Sequence, residues 1–296
     1  MHAPHVRLLA IAVLLDLAAV AQAQRPPDIP LNAQINREVV NNTITALNKY
    51  YVSEEVAARL EADLRTRLER GEYDSITSAF DLIDALDEHL RGTSQDRHLA
   101  MLYSHVASPF SEVGENITPE TPDDRAESLE AARCSNFGFE KVARLPGNIG
   151  LLEFNSFVRP EFSGEMAGNA MSFLAGTEAL IIDLRASRGG SPDMVTFVAS
   201  YFFPGDECYH LCDWRTRVEG VAQQCWTYPY LPGQRYLDRD VYILTAGRTF
   251  SAPEGLAALL QHTGRRRSSV SRHAAARIRS SLCAFTPTSP SMCRSA

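Results

Sequence analysis

Tyr242-Ile-Leu-Thr-Ala-Gly-Arg-Thr-Phe-Ser251-Ala-Pro-Glu-Gly-Leu-Ala-Ala-Leu-Leu-Gln261 decides how this chain is read. The apolar run Val241 to Ala246 has the length and composition of a buried strand, and Gly247 closes it. From Ser251 the spacing turns helical, with Leu256, Leu259 and Leu260 on one face. A serine therefore stands where a strand becomes a helix. That place projects a hydroxyl from the rim of a sheet and sets a helix N-terminus beside any oxyanion formed there. The simpler alternative is an N-cap, for which serine is a favoured residue. Local pattern leaves both open.

A unit of the same kind precedes it. Glu178-Ala-Leu-Ile-Ile-Asp183-Leu-Arg185 is nearly continuous apolar sequence with polar ends, the signature of a central strand covered on both faces. It leads through Ala186-Ser-Arg-Gly189-Gly190-Ser-Pro192 into a helix expected from about Asp193 to Tyr201. A Gly-Gly turn lets the backbone approach a ligand closely and can turn free N–H groups toward an anion. The alternative is a tight turn with no ligand, and a lone Gly-Gly is no dinucleotide fingerprint. Two strand–turn–helix units in succession predict an α/β core containing parallel strands. Both turns then lie at the C-terminal strand ends, where such folds place active sites. Further elements are expected around them. Strands Phe137 to Ala143 and Ile149 to Phe154 flank the turn Pro146-Gly-Asn148, and a helix Phe162 to Leu174 packs through Met166, Ala170 and Phe173. Cys208 to Tyr230 reads as an aromatic-rich β-hairpin, a wall beside a substrate.

The N-terminal third is helical. Ile35, Val39, Ile44 and Leu47 recur at roughly helical spacing, and Val56, Leu60, Leu64 and Leu68 recur every fourth residue up to Gly71. Ile76, Phe80, Ile83, Leu86 and Leu90 predict a third helix ended by Gly92. The following polar turn, Gly92-Thr-Ser-Gln-Asp-Arg-His98, delivers His98 to the start of a short strand, Leu99 to Tyr103. By itself such a histidine is a partly exposed polar residue or a general base. Ser108 to Arg133 is polar, acidic and interrupted by Pro109, Pro119 and Pro122, and reads as a linker or lid.

Composition is that of an ordinary globular protein, 45% hydrophobic and 22% charged. A formal charge of −7 offers no footprint for nucleic acid. Arg7, the apolar stretch Leu8 to Val20 and the small residues of Ala21-Gln-Ala23 predict a signal peptide over 1–23, and a soluble, exported mature chain with no membrane segment. Six cysteines suit that compartment. A local disulfide joining Cys225 to Cys208 or Cys212 is expected in preference to a zinc site, whose ligand spacings are absent.

Together, Ile181-Ile-Asp-Leu-Arg185, Gly189-Gly190 and Tyr242-Ile-Leu-Thr with Arg248-Thr-Phe-Ser251-Ala-Pro-Glu254 resemble the tail-specific (C-terminal processing) serine proteases of the S41 type. The helical N-terminus leading to an Asp-x-His segment resembles the branch of tricorn core proteases and the interphotoreceptor retinoid-binding protein repeats. This likeness covers about residues 33 to 264. It implies an α/β fold: an N-terminal three-helix bundle, then a mixed-sheet core of the ClpP/crotonase kind. It also implies that Ser251 is the nucleophile, that His98 is its general base, and that N–H groups of Gly189 or Gly190 and of Ala252 form the oxyanion hole. The partner implied is a peptide or protein substrate, with no cofactor and no metal. The Ser–Lys branch is disfavoured, because Lys49 and Lys141 are the only lysines and the stretch from His98 to Phe137 is too short for a PDZ domain. A rival on the same fold is a non-catalytic module for hydrophobic ligands, with Phe154, Phe157, Phe202 and Phe203 lining its cleft.

Two departures stand out. Ser187, followed by Arg188, occupies a place where the family carries asparagine. After the serine helix the family continues with a strand and a Gly-Glu-rich segment whose glutamate supports the histidine. Here residues 265–296 carry seven arginines, eight serines and no acidic residue. A basic tail that binds an anionic surface is one reading. The preferred one is a reading frame that departs near Arg265 and leaves the core incomplete, one strand and a catalytic acid short, with an exposed sheet edge. The expected organisation is a signal peptide (1–23), a helical domain (31–105), a linker (106–136), the protease core (137–264) and an aberrant tail (265–296).

Overall fold

In a computed structural model, residues 27–101, 120–218, 220–264 and 283–287 are described. The signal peptide, most of the first half of the linker and most of the tail lie outside the described residues.

Three helices form the N-terminal unit: α1 (Ala33–Tyr50), α2 (Glu54–Glu69) and α3 (Ala79–Ser94). Each starts where a short polar side chain takes up an orphan N–H. Asn32 accepts from Gln34 and Ile35, both at 3.0 Å, Ser53 accepts from Val56 at 3.4 Å, and Ser78 accepts from Asp81 at 3.3 Å. Val40, Ile44, Val56, Leu60, Leu64, Leu82, Leu86 and Leu90 fill one core between them. Burial of each such aliphatic side chain contributes about 1.5–3 kcal/mol. The core face of α3 differs from the one expected: Leu82 is buried while Ile83 is only half-buried, and Ile76 precedes the helix. Gly92 does not end α3 either. It sits in the last turn with open space around it, and the left-handed closing residue is Gln95 (φ 57°), whose side chain donates to Gly92 O at 2.7 Å.

Part of the expected linker is ordered as helix α4 (Pro122–Cys134). Thr121 and Asp124 exchange hydrogen bonds to each other's backbone N–H groups, a reciprocal capping box, and Pro122 fits the first turn.

The second unit contains a four-stranded sheet in the order β1 (Phe139–Leu145), β2 (Ile149–Phe154), β3 (Ala179–Asp183), β6 (Asp240–Leu244). β1 and β2 are antiparallel, while β2, β3 and β6 run parallel. Helix α5 (Pro160–Leu174) lies against β1 and β2, and α6 (Pro192–Ser200) packs on α7 (Ala252–His262). The strand–turn–helix units β3–α6 and β6–α7 therefore share one sheet edge, as the sequence predicts. α5 packs through Ala167, Ala170, Met171 and Leu174; Phe173 is 60% exposed and does not belong to its core face. Phe154, Phe157, Phe202 and Phe203 are at most 2% exposed and lie within the main core. They line no cleft, so the hydrophobic-ligand rival loses its residues.

A second sheet has the order β5 (Gly220–Trp226), β4 (His210–Thr216), β7 (Cys283–Pro287). β4 and β5 form the expected hairpin. Arg217 ties it to the helical unit by donating to Tyr51 O at 3.3 Å. The tail contributes β7, whose backbone pairs antiparallel with β4 from Cys212↔Pro287 to Thr216↔Cys283. It extends the hairpin sheet and leaves β6 at the edge of the four-stranded sheet among the described residues. The hairpin register sets Cys212 opposite Cys225, yet Cys208, Cys212 and Cys225 are free thiols and the expected disulfide is not formed. The Cys212 and Cys225 thiols hydrogen-bond each other, which together with burial pushes Cys212 up.

Candidate active site

The β6–α7 turn is held rigidly. Leu184 N–H donates to Leu244 O at 2.9 Å, continuing the ladder past the strand ends. Thr249, 2% exposed, donates its hydroxyl to Leu184 O at 3.0 Å and accepts from Ala246 N–H at 2.9 Å. Arg248 Nε donates to Arg185 O at 2.8 Å. The turn is thus tied to the segment between β3 and α6 at both a buried and a surface position.

Ser251 emerges from this turn with φ 71° and ψ −122°. An N-cap residue ordinarily sits in the extended region, and a non-glycine residue at positive φ of this kind is strained. Its N–H donates to Glu254 Oε2 at 2.6 Å, and its carbonyl accepts from Gly255 N–H at 3.1 Å. Burial raises the Glu254 carboxyl; the Ser251 N–H and the charges of His98 and Arg97 oppose that rise. Ser251 thus caps through its backbone while its strained angles turn the side chain onto the Gly-Gly turn. A Cβ built on Gly189 would lie 3.1 Å from Ser251 Cβ and 3.5 Å from its Oγ.

Both glycines are at positive φ, 123° at Gly189 and 134° at Gly190. Phe157 N–H donates to Gly189 O at 2.9 Å and Ser191 N–H donates to Phe157 O at 2.6 Å, so the turn is stitched to the segment after β2. A Cβ on Gly190 would come within 2.3 Å of Phe157 O, which only glycine avoids. The N–H groups of Gly189, Gly190 and Ala252 have no hydrogen-bond partner among the described residues. Ser187, at the family's asparagine place, is buried, and its Oγ also lacks a partner among the described residues.

His98 reaches the same place from the helical unit. Its ring lies 4.1 Å from that of Phe250, the residue before Ser251, tilted by 31°. Arg97 covers Phe250 from 4.4 Å and donates to Gly247 O at 3.4 Å. Leu99 to Met101 form no strand; Leu102 and Tyr103 lie outside the described residues. Asp96, two residues before His98 and 7% exposed, was not singled out by sequence. Its Oδ1 accepts from His98 N–H at 2.9 Å and faces His98 Nδ1 at 3.3 Å; its Oδ2 accepts from the Tyr51 hydroxyl at 2.9 Å. Burial works to raise this carboxyl, but the hydrogen bonds from His98 and Tyr51 outweigh it and hold it below the ordinary range. The available signal was the Asp-x-His spacing, which suits a side-chain-to-backbone turn. Among the described residues, no group of three or more His, Cys, Asp or Glu side chains is placed to hold a metal ion.

A strained serine at a strand-to-helix turn, a facing Gly-Gly turn and a histidine ring packed on the residue before that serine thus meet at one edge of the sheet. Residues 28–133 match the model described as the N-terminal domain of peptidase S41 in eukaryotic IRBP, and residues 148–269 match that of peptidase family S41. The chain belongs to the S41 peptidase family. Among solved structures, it is similar to a candidate peptidase from Parabacteroides merdae, with 18% identity, TM-score 0.48, and 81% of this chain and 75% of that one covered. A photosystem II D1 C-terminal processing protease gives 12% identity, TM-score 0.44 and coverage of 79% and 80%. For a candidate S41 protease from Bacteroides fragilis the figures are 22%, 0.38, 45% and 38%, so the chain spans well under half of that protein. These likenesses add nothing to the family match.

Proposed function

We propose that this chain is an exported serine-type peptidase in which Ser251 is the nucleophile and His98 its general base. The backbone of Ser251 carries the reading. At φ 71° it departs from cap geometry, and the strain has its use in aiming the hydroxyl across the Gly-Gly turn. His98 removes the Ser251 proton as Oγ attacks the carbonyl carbon of a peptide bond. The resulting oxyanion is received by N–H groups of the Gly189–Gly190 turn and of Ala252, the latter at the N-terminus of α7. Protonated His98 then returns the proton to the leaving amine. Water, deprotonated by His98, attacks the acyl-enzyme, releases the new carboxyl terminus and restores Ser251.

The test is covalent labelling with a fluorophosphonate. Wild-type protein is expected to label, Ser251→Ala not at all, and Ser75→Ala, an exposed serine of the helical unit, as wild type. Absence of labelling in folded wild-type protein, or labelling that survives Ser251→Ala, refutes the assignment. Export is tested separately: the mature protein recovered outside the cytoplasm should begin at Gln24. Among the described residues no helix is long and apolar enough to cross a membrane.

A further inference from the structure

Residues 265–296 contain no Asp or Glu, while a buried carboxylate, Asp96, lies two residues before His98. We propose that Asp96 is the carboxylate partner of His98, a positioning residue that fixes the His98 ring from within its own turn and is itself fixed by Tyr51. The inference rests on the reading of Ser251 and His98 given above.

The geometry assigns each carboxylate oxygen a task. Oδ1 faces His98 Nδ1 at 3.3 Å and accepts the His98 backbone N–H at 2.9 Å, so ring and backbone are held by one atom. Oδ2 accepts the Tyr51 hydroxyl at 2.9 Å, which prevents the carboxylate from rotating. The Asp96 side chain is 5% exposed against 21% for His98, so the contact is shielded while the ring still reaches the site. A proton held on Nδ1 by Asp96 makes Nε2 the basic nitrogen of the ring. As His98 takes up the Ser251 proton it becomes an imidazolium beside a fixed negative charge. The proton stays on the histidine, and the carboxylate stabilises the cation. Tyr51 closes α1, so the helical unit contributes the whole of this support.

Other charged groups face the ring. Arg97 lies on its own segment, and the Glu254 carboxyl on α7 interacts with His98 electrostatically. Glu254 is the poorer anchor: its Oε2 already accepts the Ser251 N–H at 2.6 Å, and burial favours its neutral form.

A merely structural Asp96 would hold the turn through the His98 backbone N–H alone, and asparagine can do that equally well. Asp96→Asn in the full chain therefore separates the two roles. The measurement is the rate of fluorophosphonate labelling against pH, per folded molecule, beside His98→Ala, Glu254→Gln and Tyr51→Phe. For Asp96→Asn the plateau rate is expected to fall roughly 10²–10⁴-fold. Tyr51→Phe should show a smaller change in the same direction. An Asp96→Asn plateau matching wild type overturns the proposal, whether or not the variant melts earlier. So does a plateau loss produced by Glu254→Gln and absent from Asp96→Asn. Failure of the underlying reading looks different: His98→Ala then labels at the wild-type rate, or Ser251→Ala still labels.

Discussion

Replacing Ser251 by glycine and, separately, by alanine tests whether the turn stores strain. Both variants lose the hydroxyl, so their difference isolates the Cβ at φ 71°, ψ −122°. Holding a non-glycine residue in such a conformation costs about 1–3 kcal/mol. Glycine adopts it without that cost but loses about 0.5–1 kcal/mol through the greater freedom of the unfolded chain. Ser251→Gly is therefore expected to be more stable than Ser251→Ala by roughly 1–2 kcal/mol. At about 2–4 °C per kcal/mol for a chain of this size, this is a clear separation in thermal melting. Urea unfolding of the two proteins side by side gives the free energies, with equal m-values showing that the unfolded states are comparable. Alanine equal to or more stable than glycine would refute the strain, and with it the distinction between a nucleophile turn and an ordinary cap.

Gly190→Ala carries the opposite sign. Its Cβ would meet Phe157 O at 2.3 Å in a backbone at φ 134°, so unfolding measurements should show a loss of about 2–4 kcal/mol. Thr249→Val removes a donor and an acceptor from the buried turn; the expected loss is about 1–3 kcal/mol, with slower labelling of Ser251. Directly opposed residues on neighbouring strands lie within disulfide reach. Refolding under oxidised glutathione should thus link Cys212 to Cys225, and peptide mapping that finds Cys208 joined to Cys225 would contradict the register. Asp96 and Glu254 should oppose each other in acid. Asp96 is depressed, so its contribution is full above its unfolded value and lost as pH falls through the folded one. Glu254 is raised, so its contribution is full below its unfolded value and lost as pH rises through the folded one. Urea midpoints at neutral and acidic pH should show Glu254→Gln gaining relative to wild type as pH rises, and Asp96→Asn losing.

The three N-terminal helices, the hairpin and the two strand–turn–helix units were legible because each is written locally. Leu60 and Leu64 recur at helical spacing, and the apolar run to Ala246 ends at Gly247, with no distant partner needed. Phe173 and Ile83 mislead for the same reason: periodicity locates a face, but only the packed neighbours decide which residue of that face is covered. The aromatic cleft was misread likewise, since Phe154 and Phe203 look identical in sequence whether they line a pocket or fill a core. Strand pairing over long separations, such as β7 on β4, leaves no local trace, and the cross-strand facing of Cys212 and Cys225 depends on register.

Ser251 and the Gly-Gly turn were identifiable from residue type and order alone, because a strand-to-helix turn and a run of glycines are local constraints on φ and ψ. The sequence by itself determined the element types, the family motif and the absence of an acid after Gly264. Tertiary structure decided what joins them. Packing of His98 against Phe250, with Asp96 anchored by Tyr51, brings the end of α1 and the turn after α3 to the start of α7. These contacts span 45 and 152 residues, and no periodicity encodes them, because they arise only when two separate cores are packed against each other.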